Sequence, residues 1–155
     1  MMRAVAMAEQ TGSPVYAVHV SSERALRVAQ AARARGLPFF IETRPIYLHL
    51  TRERFDGPDA GLYVGQPPLR EQSDQDALWE ALANGTIDVV GTDHVAYSRE
   101  DKLDPSQTIT NHRAGMNHLQ MLRPLLFSDG VLAGRISVER FVEVTATNPA
   151  KLFGI

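Results

Sequence analysis

The chain contains no cysteine and no long hydrophobic run. Without cysteine, neither a disulfide framework nor a thiolate metal site is available, so any bound metal must be held by histidine, carboxylate or modified side chains. The first ten residues are typical of a short amphipathic helix and lack the sustained apolar core of a signal peptide. No segment predicts a transmembrane span, and we therefore expect a cytoplasmic protein without a membrane partner.

An excess of either charge is also missing. The formal net charge is -2, and the basic residues are scattered rather than arranged in a stripe. Arg33 and Arg35 lie together where a predicted helix ends, a place where cations complement the helix dipole. This distribution does not indicate a nucleic-acid-binding protein. The 155 residues, 44% of them hydrophobic and 22% charged, provide enough apolar material for one globular core.

What the sequence does contain is a repeated alternation between strand and helix patterns. Runs rich in β-branched and aromatic residues at 15–20, 38–42 and 87–90 predict strands. The remaining segments predict helices at 2–11, at 22–35 with Gly36 ending it, from Ser73 onward, at 115–127, at 137–144 starting from Ser137, and at 148–153 starting from Asn148, with long loops at 43–70 and 91–114. This order predicts an α/β fold with parallel strands, in one segment of residues 1–155 without a domain linker.

Two polar residues follow buried strands, at the points where α/β enzymes place their chemistry. His19 stands near the end of the first predicted strand, and Asp93 follows the third. Because the C-terminal ends of parallel strands meet at one edge of a sheet, we expect these side chains to lie together. Imidazole with carboxylate is ligand chemistry for zinc and similar ions. The alternative, that His19 is a core histidine bonded to a carbonyl oxygen, stays open at this point.

Five sequence blocks resemble, in order, the dihydropyrimidinase/D-hydantoinase family of cyclic amidohydrolases. They are VHVSS at 18–22, ETRPIYL at 42–48, YVGQPPLR at 63–70, GTDH at 91–94 and TNPAKLFG at 147–154. The resemblance covers essentially the whole chain. It implies a partial TIM (β/α)8 barrel of about three βα units, from the sixth strand to the helices after the eighth, in a chain cut at both ends. It also implies hydrolysis of the ring amide of hydantoins or dihydropyrimidines, with two divalent metal ions, expected to be zinc, bridged by a carboxylated lysine.

The resemblance further implies roles for individual residues. His19 and Asp93 are the implied metal ligands, and Asp93 also acts as the general acid and base that passes a proton to the leaving ring nitrogen. Asn111 and Gln66 occupy positions whose backbone groups contact the substrate ring, although Asn111 is equally consistent with a helix cap or a turn. No ligand role is implied for four other histidines, which we expect at the surface or behind the ligands: His49, His94, His112 and His118.

Departures from the family pattern leave the substrate open. Gln66 stands before the paired prolines, where the family commonly has a small hydroxyl residue. After Asn111 the family usually has a glycine-rich stretch followed by an acidic and a basic residue, whereas this chain has HRAGMNH at 112–118. Allantoinase or dihydroorotase-like chemistry is therefore the alternative to hydantoinase. A second alternative is a non-catalytic oligomerisation module related to the collapsin response mediator proteins, which has no need of both His19 and Asp93. Because the family's other ligands should lie upstream of Met1, we expect this chain alone to be inactive, to bind metal weakly and to form homo-oligomers.

Overall fold

The computed structural model describes residues 1–108 and 110–155. In chain order its helices are α1 (Met2–Thr11), α2 (Glu23–Ala34), α3 (Pro45–His49), α4 (Gln72–Ala83), α5 (Arg99–Lys102), α6 (Leu122–Leu125), α7 (Val138–Val142) and α8 (Asn148–Phe153). The strands are β1 (Val15–Ala17), β2 (Phe39–Thr43) and β3 (Val89–Val90). Wider π-helical turns extend α6 through Leu126–Leu132 and join α7 to α8 through Glu143–Thr147, and 3-10 turns lie at Arg52–Phe55 and Ala60–Tyr63.

The described strands form a parallel sheet in the order β1-β2-β3. Val15 pairs with Phe39 in β2, and Glu42 of β2 pairs with Val89. Helix α2 connects β1 to β2, and α4 precedes β3, which gives the long crossovers that parallel strands require. The predicted α/β class and the parallel arrangement of the strands are confirmed.

The outer strands are shorter than predicted, β1 at its end and β3 at its beginning. β1 stops at Ala17, and His19 then adopts a φ of 57°. The chain rejoins β2 immediately afterwards, where the Val20 N–H donates to the Glu42 carbonyl oxygen at 2.8 Å. β3 covers Val89–Val90, half of the predicted strand. The first strand therefore ends just before His19, the residue that was proposed as a metal ligand.

The start of α4 differs from the prediction. Ser73 lies inside this helix, which begins at Gln72 with Glu71 as the N-cap and without a side-chain cap bond. Asp74 in the first turn accepts a hydrogen bond from the Glu23 N–H at 2.9 Å, at the start of α2. A contact between the two helices thus holds the first turn of α4, and the serine expected to cap it is already helical.

The C-terminal helices follow their predicted positions in part. Ser137 caps α7 as expected, accepting from the Arg140 N–H at 3.1 Å. Helix α8 begins at Asn148 as predicted, but it continues from α7 through the π-helical turn, and no side chain caps it. The Asn148 Nδ2 instead donates to the Asp88 carbonyl oxygen at 2.9 Å, which anchors α8 to the chain entering β3.

The segments between these elements contain structure that periodicity did not reveal. The predicted loops at 43–70 and 91–114 include the short helices α3 and α5. The helix predicted at 115–127 begins only at Leu122, because the preceding residues return to the loop after β3 and Met116 forms a bridge with His94. Short elements of this kind depend on contacts with distant residues rather than on a repeating pattern.

The core lies between the sheet and the helices packed on it. In β2, Phe39, Ile41 and Thr43 are buried, whereas Phe40 and Glu42 on the opposite face are partly exposed. The helices cover the buried face with apolar side chains, among them Leu26, Ala29, Leu78, Leu82, Leu126 and Val144. None of the helices in the described part of the chain is long and apolar enough to cross a membrane.

Candidate metal and catalytic site

His19 and Asp93 share an uncommon backbone conformation. His19 has a φ of 57° and Asp93 a φ of 48°, and among residues 1–108 and 110–155 these are the non-glycine residues with positive φ. A side chain with a Cβ is strained in this region, and such strain concentrates where a side chain must be aimed at a functional site. No residue pattern predicted this backbone conformation, which falls on the two residues chosen for their chemistry.

The two side chains meet above the C-terminal ends of β1 and β3. His19 Nε2 lies 3.6 Å from Asp93 Oδ2, with the imidazole 23% exposed and the carboxylate 42% exposed. The expectation that they lie at the same edge of the sheet is confirmed. Nδ1 of His19 has no hydrogen-bond partner among the described residues. This disfavours the alternative of a core histidine bonded to a carbonyl oxygen.

Glu42 lies directly behind His19 and was not predicted as a site residue. Its Oε1 is 3.1 Å from His19 Nδ1, within ion-pair distance although the ring N–H direction is not aligned for a hydrogen bond. Its Oε2 accepts a hydrogen bond from the Tyr16 hydroxyl at 2.8 Å. Burial, reinforced by this bond to Glu42, raises the pKa of Tyr16, which keeps its proton. The available signal was a carboxylate in an otherwise apolar strand next to Ile41.

Arg44 is the second residue that sequence reasoning missed. Its side chain is 1% exposed, and Nη1 lies 3.2 Å from Asp93 Oδ2. Its Nε donates to the Thr92 carbonyl oxygen at 3.0 Å, and the guanidinium lies over the Tyr47 ring at 5.6 Å. A buried guanidinium is stable only when it is paired and hydrogen-bonded. Arg44 therefore ties the chain leaving β2 to the loop that carries Asp93.

Of the two predicted substrate contacts, Gln66 lies beside this cluster. The Gln66 carbonyl oxygen lies 3.5 Å from Arg44 Nη1. Asn111 instead closes a local turn, because its Oδ1 accepts from the Thr108 N–H at 2.5 Å and its own N–H donates to the Thr108 carbonyl oxygen at 3.2 Å. This contact is the one expected of a turn residue, and the substrate role of Asn111 stays a prediction.

Three of the other histidines take supporting positions. Nδ1 of His94 accepts hydrogen bonds from the N–H groups of His118 and Leu119 at 3.1 and 3.2 Å. Nδ1 of His118 contacts the Met116 carbonyl oxygen at 2.8 Å, and burial lowers the pKa of this imidazole. His49 contacts Pro45 and Asp129 instead. The expected positions of these histidines at the surface or behind the ligands stay a prediction.

Lys102 organises the loops beside the site. Nζ donates to the Val64 carbonyl oxygen at 2.8 Å and to the Gly115 carbonyl oxygen at 2.5 Å. Burial, with a smaller contribution from the positive charge of Arg44, lowers the pKa of Lys102 to about 8. The ammonium group joins the segment after α3 to the segment before α6. A cleft of about 400 Å³ beside it is lined by Gln107, His112 and Arg113 rather than by His19 or Asp93.

The donor set fits part of a metal centre. Histidine nitrogen and carboxylate oxygen are both zinc ligands, and the 3.6 Å between His19 Nε2 and Asp93 Oδ2 lets both atoms contact the same ion or two neighbouring ions. Within the described ranges, no group of three or more histidine, aspartate or glutamate side chains is placed to hold a metal ion. A catalytic zinc normally has three protein ligands, so this part of the chain supplies an incomplete set.

Comparisons with known proteins agree with the resemblance. No protein-family model matches the chain. D-phenylhydantoinase of Escherichia coli O1:K1 / APEC is 40% identical over 155 residues, which are 99% of this chain and 34% of that protein. The solved D-hydantoinase (dihydropyrimidinase) from Thermus sp. superposes with a TM-score of 0.93 at 39% identity, over 97% of this chain and 33% of that one. Dihydropyrimidinase from Brevibacillus agri NCHU1002 gives a TM-score of 0.91 at 39% identity, over 98% and 34%.

The resemblance to the dihydropyrimidinase/D-hydantoinase family is thereby confirmed in sequence and in fold. The chain spans about a third of the length of the curated relatives that it matches, at 34% of D-phenylhydantoinase.

Proposed function

We propose that this chain supplies part of the active site of a metal-dependent cyclic amidohydrolase that opens the ring amide of hydantoins or dihydropyrimidines. The observation that carries the proposal is the 3.6 Å approach of His19 Nε2 to Asp93 Oδ2 at the ends of two parallel strands. Both residues lie in blocks that resemble the family, in a chain that is 40% identical to a D-phenylhydantoinase. Retention of both side chains argues against a purely structural module.

We further propose that the sheet is part of a TIM barrel, with β1, β2 and β3 as its sixth to eighth strands in one segment of residues 1–155. The parallel strand order, the helical crossovers and the placement of His19 and Asp93 at C-terminal strand ends support this assignment. β1 and β3 occupy the outer positions of the described sheet. In a closed barrel each of them would pair with a further strand.

In this proposal His19 and Asp93 are metal ligands, and a centre of two zinc ions matches their chemistry. When bound, such a centre supplies an activated water molecule and polarises the scissile carbonyl group. Asp93 would accept the proton of the attacking water at its carboxylate and return it to the ring nitrogen as the C–N bond breaks. Arg44 holds the Asp93 carboxylate in position through the 3.2 Å contact.

Substrate contacts are proposed for the backbone groups of Gln66 and Asn111. The position of the Gln66 carbonyl oxygen beside Arg44, at 3.5 Å, supports the first of these. Cyclic amides and imides present adjacent N–H and C=O groups, which suit backbone recognition. We also propose a cytoplasmic homo-oligomer without a nucleic-acid or membrane partner.

A chimera tests this function in a complete enzyme. The segment of D-phenylhydantoinase that matches this chain is replaced by residues 1–155, and ring opening of hydantoin, dihydrouracil and allantoin is measured with and without a chelator. We expect chelator-sensitive opening of hydantoin or dihydrouracil. Asp93→Ala in the chimera should abolish turnover, whereas Asp129→Ala, which removes another partly exposed carboxylate, should retain it.

Two results would contradict the proposal. One is a folded chimera in which Asp93→Ala retains full activity. The other is a folded chimera that opens allantoin in preference to the other two rings, which would move the substrate assignment to the allantoinase alternative. The chain by itself should show no ring opening, because its ligand set is incomplete.

A further inference from the structure

A second carboxylate, which is partly buried, lies beside the His19 ring on the side away from Asp93. Glu42 Oε1 lies 3.1 Å from Nδ1 of His19, and the glutamate side chain is 14% exposed. The other carboxylate oxygen accepts a hydrogen bond from the Tyr16 hydroxyl at 2.8 Å. Glu42, in β2, therefore contacts two residues of the neighbouring chain segment, Tyr16 in β1 and His19 just after it. These contacts hold the carboxylate from two sides.

Gly91 supplies a third constraint on this carboxylate. A Cβ added to Gly91 would lie 2.8 Å from both Cδ and Oε2 of Glu42. Real Cβ atoms do not approach other heavy atoms this closely, so any larger residue at position 91 would push the carboxylate away. The absence of a side chain at Gly91, at the end of β3, is thus what leaves room for Glu42 beneath the site.

The contact restricts where His19 carries its proton. A carboxylate can only accept hydrogen bonds, and it repels a nitrogen lone pair at 3.1 Å. The favourable arrangement places the proton on Nδ1 and leaves the Nε2 lone pair directed toward Asp93. Metal-binding histidines commonly have the second nitrogen bonded in this way, which sets the ring orientation and the tautomer.

We propose that Glu42 is a positioning residue that fixes His19 in the Nδ1–H tautomer, with Nε2 free toward Asp93, and that Tyr16 and Gly91 hold Glu42 in place. Glu42 is the nearer carboxylate, at 3.1 Å from Nδ1 against 3.6 Å between Asp93 and Nε2, and Arg44 already pairs with Asp93, so the contacts favour the proton on Nδ1. The consequence of this tautomer, that Nε2 is ready to bind a metal ion, rests on the proposed function. Glu42 acts through His19 and contacts no substrate in this proposal.

The tautomer can be measured directly in the complete chain without metal. Long-range proton-nitrogen correlation spectra distinguish protonated from unprotonated ring nitrogens, and His19→Gln identifies the His19 signals. Two other histidines provide internal references. His118 donates from Nδ1 to the Met116 carbonyl oxygen at 2.8 Å, so it should show the Nδ1–H pattern. His94 accepts two backbone N–H groups at Nδ1, so it should show the Nε2–H pattern.

We expect wild-type His19 to match the His118 pattern. In Glu42→Gln, where the charge is removed at nearly constant shape, the ratio of Nδ1–H to Nε2–H should fall by about tenfold or more, as expected when a negative charge 3.1 Å from Nδ1 is lost. Gly91→Ala should lower the ratio in the same direction by displacing the carboxylate. Glu80→Gln, at an exposed position of α4, should leave the ratio unchanged, and unchanged His118 and His94 patterns establish that each variant is folded.

A wild-type His19 in the Nε2–H form would overturn the proposal, as would a His19 pattern unaffected by Glu42→Gln in a folded protein. Zinc titration of the wild-type chain provides a separate readout. If zinc leaves the His19 signals unchanged while the tautomer depends on Glu42, the positioning role stands and the metal-binding part of the proposed function is contradicted.

Discussion

Arg44 and Asp93 join the ends of β2 and β3 through a contact of 3.2 Å between Nη1 and Oδ2, with the arginine side chain 1% exposed and the aspartate 42% exposed. One partner is therefore fully withdrawn from water while the other faces the proposed site. The arginine also bonds to the Thr92 carbonyl oxygen. This asymmetry lets a buried group control the position of a carboxylate that remains accessible to a ligand.

Replacing this arginine should destabilise the fold. Arg44→Lys keeps a charge but cannot reach Thr92 and Asp93 together, because lysine carries a single ammonium group on a flexible stem. We expect the free energy of unfolding to fall by about 1–3 kcal/mol, below the range for a fully buried pair because Asp93 is partly solvated. Urea denaturation measures the change. Arg52→Lys, in an exposed pair with Glu71, should be indistinguishable from wild type, and an equal loss in both variants would contradict the assignment.

The lowered pKa of Lys102 predicts a pH dependence of stability. The folded state releases this proton near pH 8, whereas an unfolded lysine does so near 10.4. Between these values the unfolded state binds more protons, so the free energy of unfolding should rise with pH. The penalty for burying the charged ammonium is fully present below the folded pKa and disappears above the unfolded one. We expect a gain of about 1–2 kcal/mol, reduced from the full linkage value by residual solvation and by the two carbonyl partners.

Urea denaturation of wild type and Lys102→Met from pH 7 to 10 isolates this contribution. The difference between the two proteins should change with pH only in that window. The second lysine of the chain, Lys151, is exposed in α8 and provides the matched control as Lys151→Met. If the free energy of unfolding of Lys102→Met rises with pH as steeply as that of the wild type, the prediction of a lowered Lys102 pKa is wrong.

The two serines predicted to start helices should behave differently. Ser137 accepts a hydrogen bond from Arg140 N–H at the start of α7, so Ser137→Ala should lower the free energy of unfolding by about 1 kcal/mol. Ser73 lies inside α4, where alanine has the higher helix propensity. Ser73→Ala should therefore be neutral or slightly stabilising. Thermal denaturation of the pair measures both changes, and similar losses would show that α4 begins at Ser73 after all.

The chain should associate in solution. Large apolar side chains are exposed in the described structure, including Leu132 at 73%, Phe153 at 61% and Ile155 at 90%. The outer strands of an open sheet also present unpaired backbone groups. We expect sedimentation velocity to show concentration-dependent association rather than a monomer at micromolar concentration. A stable monomer throughout a dilution series would contradict this prediction.

The local pattern of residues predicted the frame of the fold because helix and strand periodicity depends on nearby positions. The predicted first helix matches Met2–Thr11, and the predicted strands contain or nearly contain all three observed ones. Residue patterns failed to predict the local structure where contacts between residues far apart in the sequence determine it. Asn148 begins α8 as predicted, but its side chain bonds to Asp88 instead of capping the helix. Met116 follows the chain after β3 instead of starting a helix.

By itself the sequence determined the chemistry of the site and its approximate location. The types of His19 and Asp93, their position after apolar strands and the five blocks were sufficient to identify the family resemblance and to place both residues at one edge of the sheet. Those are properties of single residues and their neighbours in the chain. The 3.6 Å separation of the two side chains agrees with that inference.

Only the tertiary structure decided how these residues are held. The positive φ values of His19 and Asp93, the carboxylate of Glu42 behind the imidazole and the buried guanidinium of Arg44 all depend on which strands are adjacent. A charged residue in a sequence gives no indication of whether it will be solvated or buried. Burial forces such a group to find a partner, and the partner is chosen by the packing of the sheet rather than by distance along the chain.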